Sequence, residues 1–453
     1  MEETRQSKEE YESMEDEQNE DNGTISEEES EDEDGAEDEE IGDEEKVKET
    51  YLPGQPIEEG EELVCDESAY IMLHTAETGS PCLSFDIIRD PLGDNRTDFP
   101  VTTYIVAGTQ SMKTVTNKVL IMKMSNLHKT CNDDDESTDE EEDEEQPEIK
   151  PNLDTAVLPH FGAVNRIRMT FVNEVPLAST WSDTGKVHIW DLTKPLQAVN
   201  DHRQLEQYSK TSSTMKPLYT FSGHLSEGFA MDWCPTQPGV LATGDCRNNI
   251  HVWKPQEAGL WHVEQRPYLG HSGSVEDIQW SPNEANVFAS CSIDKSIRIW
   301  DARVDPSKAC MLTCNNAHTS DVNVIHWNRN EPFIVSGGDD AKLCVWDLRQ
   351  FQTKKPVATF KHHTAPITSV EWHPTDGTVF ASTGEDDQVA LWDLSVEKDD
   401  ESREEDLKDL PPQLLFIHQG QKELKELHWH PQVPGLVITT SLTGFNVFKT
   451  ISV

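Results

Sequence analysis

The chain has 453 residues, with 37 Lys and Arg against 86 Asp and Glu, and a formal net charge of −49. Such a chain lacks the basic surface that a phosphate backbone requires, so we expect no direct nucleic-acid binding and favour basic proteins as partners. Its longest apolar stretches, such as residues 104–108, fall far short of the ~20 residues of a membrane span, and the opening residues MEETRQSKEE are unlike a signal peptide. We expect a soluble protein that is not secreted and has no membrane partner.

The first 50 residues carry 25 acidic and 4 basic side chains and almost no apolar ones. Because such a segment cannot offset its ordering entropy, residues 1–50 are predicted to be a disordered acidic tail. Strand composition follows at residues 82–88, 102–110 and 117–124, where β-branched and aromatic residues are enriched.

Two further acidic runs interrupt the rest of the chain. Residues 133–148 hold 12 acids and no base, and residues 397–409 hold 8 acids and 3 bases. We predict acidic insertions at 131–150 and 397–412, either as solvated filler or as sites for a basic partner. Four hydroxyl residues in the acidic segments have an acid three positions later and are candidate phosphorylation sites, or are simply polar residues of acidic tracts: Ser26, Ser30, Ser137 and Thr138.

One pattern recurs from residue 160 onward, in which a His is followed 28 to 30 residues later by an aromatic residue, often Trp before Asp. Short strands such as VEDIQW, VFASCS and SIRIWD separate turn residues within each copy. The His and aromatic residues of the six copies are His160 and Trp190, His224 and Trp253, His271 and Trp300, His318 and Trp346, His363 and Trp392, and His418 and Phe448.

This pattern resembles the WD-repeat family, whose unit is a four-stranded blade of a β-propeller. We predict an all-β fold, a seven-bladed WD-repeat β-propeller over residues 51–453, with residues 63–130 as the additional blade. Removing the insertions at 131–150, 194–217 and 396–412 leaves about 330 residues, or about 47 for each blade, which fits the repeat length. The resemblance implies a buried hydrogen-bonded set in each blade, such as His271, Ser290, Asp294 and Trp300, and His363, Ser382, Asp386 and Trp392.

A Ser, His and Asp set could also indicate a hydrolase, but a catalytic triad occurs once and this set recurs in several blades. We find no phosphate-binding loop or nucleophile elbow and expect no enzyme activity. The nine cysteines lack the paired spacing of a zinc site, Cys310 and Cys314 included. We therefore expect free thiols, a reducing compartment, and neither cofactor nor metal.

The strings YLPG at 51–54 and LGDNRT at 92–97, with the two acidic insertions, resemble the glutamate-rich WD-repeat proteins. That family's function implies a chaperone of one large-subunit ribosomal protein, number three of the series, and a location in the nucleus and nucleolus with a cytoplasmic pool. GHLSEGFAMDWCP, GHSGSVEDIQWSP and DLPPQLLFIHQG are similar to the retinoblastoma-associated histone-binding WD proteins. This second resemblance implies a groove for a histone helix at Pro411, Pro412, Leu414, Leu415 and Phe416.

A second candidate site is the mouth of the central channel, where the innermost strand of each blade begins. Alignment of the repeats places three carboxylates and an aromatic side chain there, which suits a peptide rich in Lys and Arg, although each residue could also be an ordinary exposed loop residue. The predicted client-binding residues are Asn165, Glu227, Phe229, Glu276, Asp321 and Asn323. We expect a monomer that binds a basic ribosomal protein, with core histones as the alternative client and a ubiquitin-ligase adaptor as a third hypothesis supported by the fold alone.

Overall fold

The computed structural model describes residues 51, 55, 64–111, 117–131, 150–397 and 410–453. Within this part of the chain, 28 strands form seven four-stranded antiparallel sheets, and the innermost strands of neighbouring sheets contact each other around a closed ring. The prediction of an all-β, seven-bladed WD-repeat propeller is confirmed. The predicted disordered tail lies outside the described residues, as do most residues of the two predicted acidic insertions.

Within each blade, the strands are given in order from the innermost strand outward. Blade one contains β2–β5, at Cys82–Ile88, Val101–Thr109, Lys118–Leu127 and Asn152–Pro159. Blade two contains β6–β9, at Val164–Val172, Val175–Ser182, Val187–Asp191 and Tyr219–Phe221. Blade three contains β10–β13, at Ala230–Trp233, Leu241–Gly244, Ile250–Pro255 and Trp261–Val263. Blade four contains β14–β17, at Val275–Trp280, Val287–Ser292, Ile297–Asp301 and Cys310–Cys314.

The remaining blades complete the ring. Blade five contains β18–β21, at Val322–Trp327, Phe333–Gly338, Leu343–Asp347 and Ala358–Phe360. Blade six contains β22–β25, at Ile367–Trp372, Val379–Gly384, Val389–Asp393 and Leu414–His418. Blade seven contains β26–β28, at Glu426–Trp429, Leu436–Thr440 and Phe445–Thr450, with β1, at Tyr70–Ala76, as its outermost strand.

Blade seven joins the two ends of the propeller, because β1 pairs antiparallel with β28 and places Leu73 opposite Phe448. This corrects the prediction that residues 63–130 form one blade. Only β2, β3 and β4 of that span belong to blade one, and the fourth strand, Asn152–Pro159, follows the acidic insertion. The insertion therefore lies inside blade one and not after it.

The core consists of apolar side chains packed between adjacent sheets. One cluster, for example, joins Ala242 and Val252 of blade three to Ile278, Phe288 and Trp300 of blade four, all almost fully buried. The innermost and second strands of a blade are buried along most of their length, because the neighbouring blades cover both faces of the sheet. Each blade therefore depends on its neighbours for a core.

The predicted hydrogen-bonded set is present within the blades. Trp300 Nε1 donates to Ser290 Oγ at 2.7 Å, and His271 lies 2.7 Å from Ser290 Oγ and 3.0 Å from Asp294 Oδ2. These buried polar groups satisfy one another, which is the structural role that the sequence predicted. Equivalent sets are His224, Thr243, Asp245 and Trp253, His318, Ser336, Asp340 and Trp346, and His363, Ser382, Asp386 and Trp392.

The prediction that His418 is the repeat His of the sixth copy was wrong. His418 ends β25 in blade six, and its Nδ1 lies 2.7 Å from the Tyr70 hydroxyl of β1. Gln421 takes the place of the repeat His in blade seven, because its side-chain oxygen accepts the Thr439 hydroxyl at 2.5 Å.

Two short helices, α1 at Thr193–Ala198 and α2 at His202–Ser209, connect the third and fourth strands of blade two. They pack against blade one, where Tyr208 donates to the Val157 carbonyl of β5 at 3.3 Å and Tyr104 of β3 donates to Asn200 at 2.7 Å. Nowhere in the described ranges is there a helix long and apolar enough to cross a membrane.

Candidate functional site

The six predicted client-binding residues lie at one end of the channel, which we call the upper end because the innermost strand of every blade begins there. Asn165, Glu276 and Asn323 are the second residues of β6, β14 and β18, each at a β-bulge. Glu227 and Phe229 precede β10, and Asp321 precedes β18. The structure therefore brings the six residues together on blades two to five, and we call them the rim.

The two rim amides are already engaged. Asn165 is buried, and its Nδ2 donates to Glu227 Oε2 at 3.0 Å. Asn323 Nδ2 donates to Asp339 Oδ1 at 2.8 Å and to the Ile367 carbonyl at 3.1 Å. These amides hold carboxylates and a neighbouring blade in place, so they position the rim.

The rim carboxylates differ from the amides in being open to a ligand. Glu227 is exposed, while Glu276, Asp321 and Phe229 are half-buried. None of the ion pairs formed by the described residues includes Glu227, Glu276 or Asp321. Burial raises the pKa of Glu276, which means that its charge is poorly solvated. A Lys or Arg side chain placed here would relieve that cost.

The carboxylate of Glu276 has no counterpart in blades one, six and seven. At the positions that correspond to Glu276, blade one has Leu83, blade six has Thr368 and blade seven has Lys425. Thr368 pairs with Thr383 through their hydroxyls at 2.8 Å. Among the six rim residues, the carboxylates therefore lie on blades three to five.

Below the rim, one side chain from each innermost strand faces a cavity of about 310 Å³ in the channel. These seven residues occupy the same register position in their blades, and none is apolar. We call them the channel ring: Asp86, Arg168, Asp232, Gln279, His326, Glu371 and His428.

The channel ring ties neighbouring blades together. Asp86 Oδ2 accepts the Met169 amide at 2.7 Å, Asp232 Oδ2 accepts the Trp280 amide at 2.6 Å, and His326 Nδ1 accepts the Trp372 amide at 3.1 Å. In each case the amide belongs to the next blade. Burial raises the pKa of Asp232 to about 8 and lowers that of His326 to about 4, so it favours the neutral form of both side chains.

Glu426, at the start of β26, is the most heavily bonded carboxylate of the channel. It lies 2.7 Å from both Arg166 and Arg168 of blade two, and it accepts the Phe85 amide of blade one at 2.8 Å. Burial opposes its charge, but the two guanidinium groups hold its pKa well below the ordinary range. Arg166 also donates to the Phe229 carbonyl at 2.9 Å and so connects this ion pair to the rim.

His428 closes the channel ring between blades six, seven and one. Its Nδ1 donates to Glu371 at 2.5 Å, and its Nε2 donates to the Phe85 carbonyl at 3.1 Å. Burial opposes the charged form, but Glu371 and Glu426 outweigh it and raise the pKa of His428 to about 10. Both ring nitrogens therefore carry protons at pH 7.

Sequence reasoning missed the channel ring, although a signal for it exists. In five blades a polar residue directly precedes the Trp that ends the innermost strand: Asp232, Gln279, His326, Glu371 and His428. A polar residue at a fixed position of a buried strand indicates a shared role inside the protein.

The second predicted groove lies elsewhere, at the outer edge between blades six and seven. Pro411, Pro412, Leu414, Leu415 and Phe416 are all half-buried. Leu415 and Phe416 pack on the core of blade seven, and the Phe416 ring stands edge-on to Tyr70 at 5.4 Å. Leu415 and Phe416 therefore already serve the contact between the two blades, while Leu414 packs on the core between blades five and six.

The acidic segments are attached at the lower end of the propeller. The second run leaves between the third and fourth strands of blade one, at Cys131 and Lys150, and the third leaves between those of blade six, at Glu397 and Leu410. The residues that lead into β1, Val64–Ala69, also lie at the lower end, because β1 is a fourth strand. Three consecutive blades, six, seven and one, therefore carry these attachments.

Two sequence profiles match the chain. The profile of the WD domain, G-beta repeat, matches residues 263–301, 308–347 and 354–393, which correspond to blades four, five and six. The profile that describes histone-binding protein RBBP4 and its counterpart in the CAF1 complex matches residues 60–128, which include β1 and most of blade one.

Whole-chain relatives are more informative. The glutamate-rich WD repeat-containing protein 1 of Dictyostelium discoideum is 44% identical over 410 residues, 87% of this chain and 83% of that protein. The chain belongs to the glutamate-rich WD-repeat family. The ribosome assembly protein rrb1 of Schizosaccharomyces pombe is 40% identical over 415 residues, 89% of this chain and 84% of the relative. The protein HEAT STRESS TOLERANT DWD 1 of Arabidopsis thaliana is 43% identical over 433 residues, 86% and 88% of the two chains.

Membership of this family agrees with the resemblance seen in the sequence. The WD-repeat propeller and the names of these relatives point to a non-catalytic role. Within the described residues, no group of three or more His, Cys, Asp and Glu side chains is arranged to hold a metal ion.

Proposed function

We propose that this protein is a non-enzymatic ribosome-biogenesis factor that binds a newly made basic protein of the large subunit, ribosomal protein three, before its assembly into pre-60S particles. The observation that carries the proposal is the arc of Glu227, Glu276 and Asp321 beside Phe229, whose carboxylates form no ion pair with another described residue and could accept a Lys- or Arg-rich segment. The name of the rrb1 relative, a ribosome assembly protein, supports the same class of client. Such a role implies a nuclear and nucleolar location with a cytoplasmic pool.

The acidic segments have a separate part in this proposal. Exposed charges contribute only about 0–1 kcal/mol per pair, so the segments speed encounter and mask the rRNA-binding surface of the client rather than provide tight affinity. Phosphorylation at Ser26, Ser30, Ser137 or Thr138, which lie outside the described residues, would add to that charge.

A histone-binding role is the second candidate, favoured by the profile match over residues 60–128. In that case the client would lie along Pro411, Pro412, Leu414, Leu415 and Phe416 at the side of the propeller. Purification of the full chain with its bound proteins at moderate salt separates the two hypotheses. We expect one large-subunit ribosomal protein in stoichiometric amount, and recovery of core histones instead would reject the proposal.

A further inference from the structure

The upper face carries large apolar side chains outside the acidic arc. Phe161 is 57% exposed and Leu225 is 74% exposed, in the loops that lead into blades two and three. Ile293 of blade four is 40% exposed in the loop between its second and third strands. All three loops lie at the upper end, since they connect to the start of an innermost or third strand.

The loops that carry Phe161 and Leu225 lie close to each other. Ser182 donates to the Phe161 carbonyl at 2.9 Å. Gly185 lies in the turn that follows Ser182. A Cβ on this glycine would be 3.2 Å from the carbonyl oxygen of Ser226, the residue after Leu225, so the two loops approach each other closely. Within blade three, the Cys246 amide donates to the Glu227 carbonyl at 2.9 Å and so holds the loop that carries both Leu225 and Glu227. The apolar residues lie on blades two to four and therefore overlap the acidic arc at blades three and four.

We infer that this face selects a basic segment that carries large apolar side chains beside its Lys and Arg residues. The inference rests on the proposed function and adds the chemistry that separates the client from other polycations. Glu227, Glu276 and Asp321 attract any basic peptide, because Coulomb attraction does not depend on the neighbouring residues. Burial of Phe161 and Leu225 requires apolar groups on the partner, so these two side chains determine specificity.

Two synthetic peptides test the inference by calorimetric titration of the full chain. They have Lys and Arg at the same positions, and the residues between are Leu in one peptide and Ser in the other. We expect the chain to bind the Leu peptide about tenfold more tightly, since burying even part of a large apolar side chain is worth roughly that factor. The double variant Phe161→Ser and Leu225→Ser should lose this preference while its affinity for the Ser peptide is unchanged.

The matched control is Leu218→Ser with Leu260→Ser, two side chains that are each 50% exposed on loops of the lower end. This variant should keep the preference for the Leu peptide. Equal affinity of the unaltered chain for both peptides would overturn the inference and leave the acidic arc as a binding site. Loss of preference in the control variant would also overturn it. If neither peptide binds, both the proposed function at the rim and the inference fail.

Discussion

The rim and the channel interior below it are built from similar residue types but use them in opposite ways. Inside the channel, Glu426 and Glu371 are paired with Arg166, Arg168 and His428 at 2.5–2.7 Å. At the rim, the carboxylates of Glu227, Glu276 and Asp321 have no paired cation among the described residues. Charge content alone therefore does not locate a binding site. Paired charges stabilise the fold, whereas unpaired charges remain available to a partner.

The largest effect is expected from a substitution in the channel interior. Glu426→Gln should lower the free energy of unfolding by about 3–5 kcal/mol, because Arg166 and Arg168 would keep their charges without a buried partner. Urea unfolding followed by Trp fluorescence measures the loss. Glu423→Gln is the control, since Glu423 is 60% exposed beside Lys425 and should change stability by less than about 1 kcal/mol. Equal stability of the two variants would mean that the interior charges do not hold the blades together.

The second prediction concerns pH and the same interior. The pKa of His428 is raised to about 10 in the folded chain, against about 6.5 when unfolded, so its stabilisation is complete below pH 6.5 and is lost as the pH rises toward 10. Over that window the folded state should lose about 1.4 kcal/mol per pH unit from this group. Unfolding measured from pH 7 to 10 should show a shallower slope in His428→Asn. The exposed His202→Asn should keep the slope of the unaltered chain, and an identical slope in all three proteins would contradict the assignment.

A third prediction tests the rim. Glu276→Gln combined with Phe229→Leu should speed dissociation of a bound basic client peptide about tenfold, because short-range contacts are removed that salt does not screen. Stability should stay within about 0.5 kcal/mol, since neither side chain has an ion pair to lose. Surface plasmon resonance gives the dissociation rate. If the rate is unchanged while replacement of residues 410–416 raises it, the client lies at the side of the propeller.

The smallest effect is expected from the acidic segments. Deletion of residues 1–50 with neutralisation of residues 133–148 should slow association several-fold at low salt, because exposed charges steer encounter within a screening length of ~10 Å at 0.1 M. The dissociation rate should change little. Stopped-flow association at two salt concentrations measures the effect. A loss of affinity that persists at high salt would mean that these segments contact the client directly. In that case the acidic segments and the rim would not differ in how they bind.

Residue patterns were sufficient for features that repeat locally. The spacing from His271 to Trp300 recurs, within one residue, in blades two to six because the bonded His and Trp of each blade are close along the chain. His418 was misassigned because it preserves that spacing, although Gln421 makes the equivalent bond to Thr439. The rim positions follow from the same repeat, so Glu276 could be placed without coordinates.

Features that depend on contacts between blades could not be predicted in this way. The seven channel-ring residues are of five different types, and six of them bond to a residue 40 or more positions away, as Asp232 bonds to Trp280. The pairing of β1 with β28 joins segments from opposite ends of the propeller, so no local pattern reports it. Whether a charge is paired, as Glu426 is, depends on these same distant contacts.

The pairing of β1 with β28 in blade seven also determines when the propeller can close during synthesis. β1 is the first strand of the propeller to be made and β28 is the last, so β1 must wait without its partner while six other blades form. The hydrogen bonds that close the ring of blades, including the one that the Phe85 amide donates to Glu426, form only after blade seven has been made. A nascent chain therefore folds as an open arc, and an intact circular mouth exists only in molecules whose translation has passed β28.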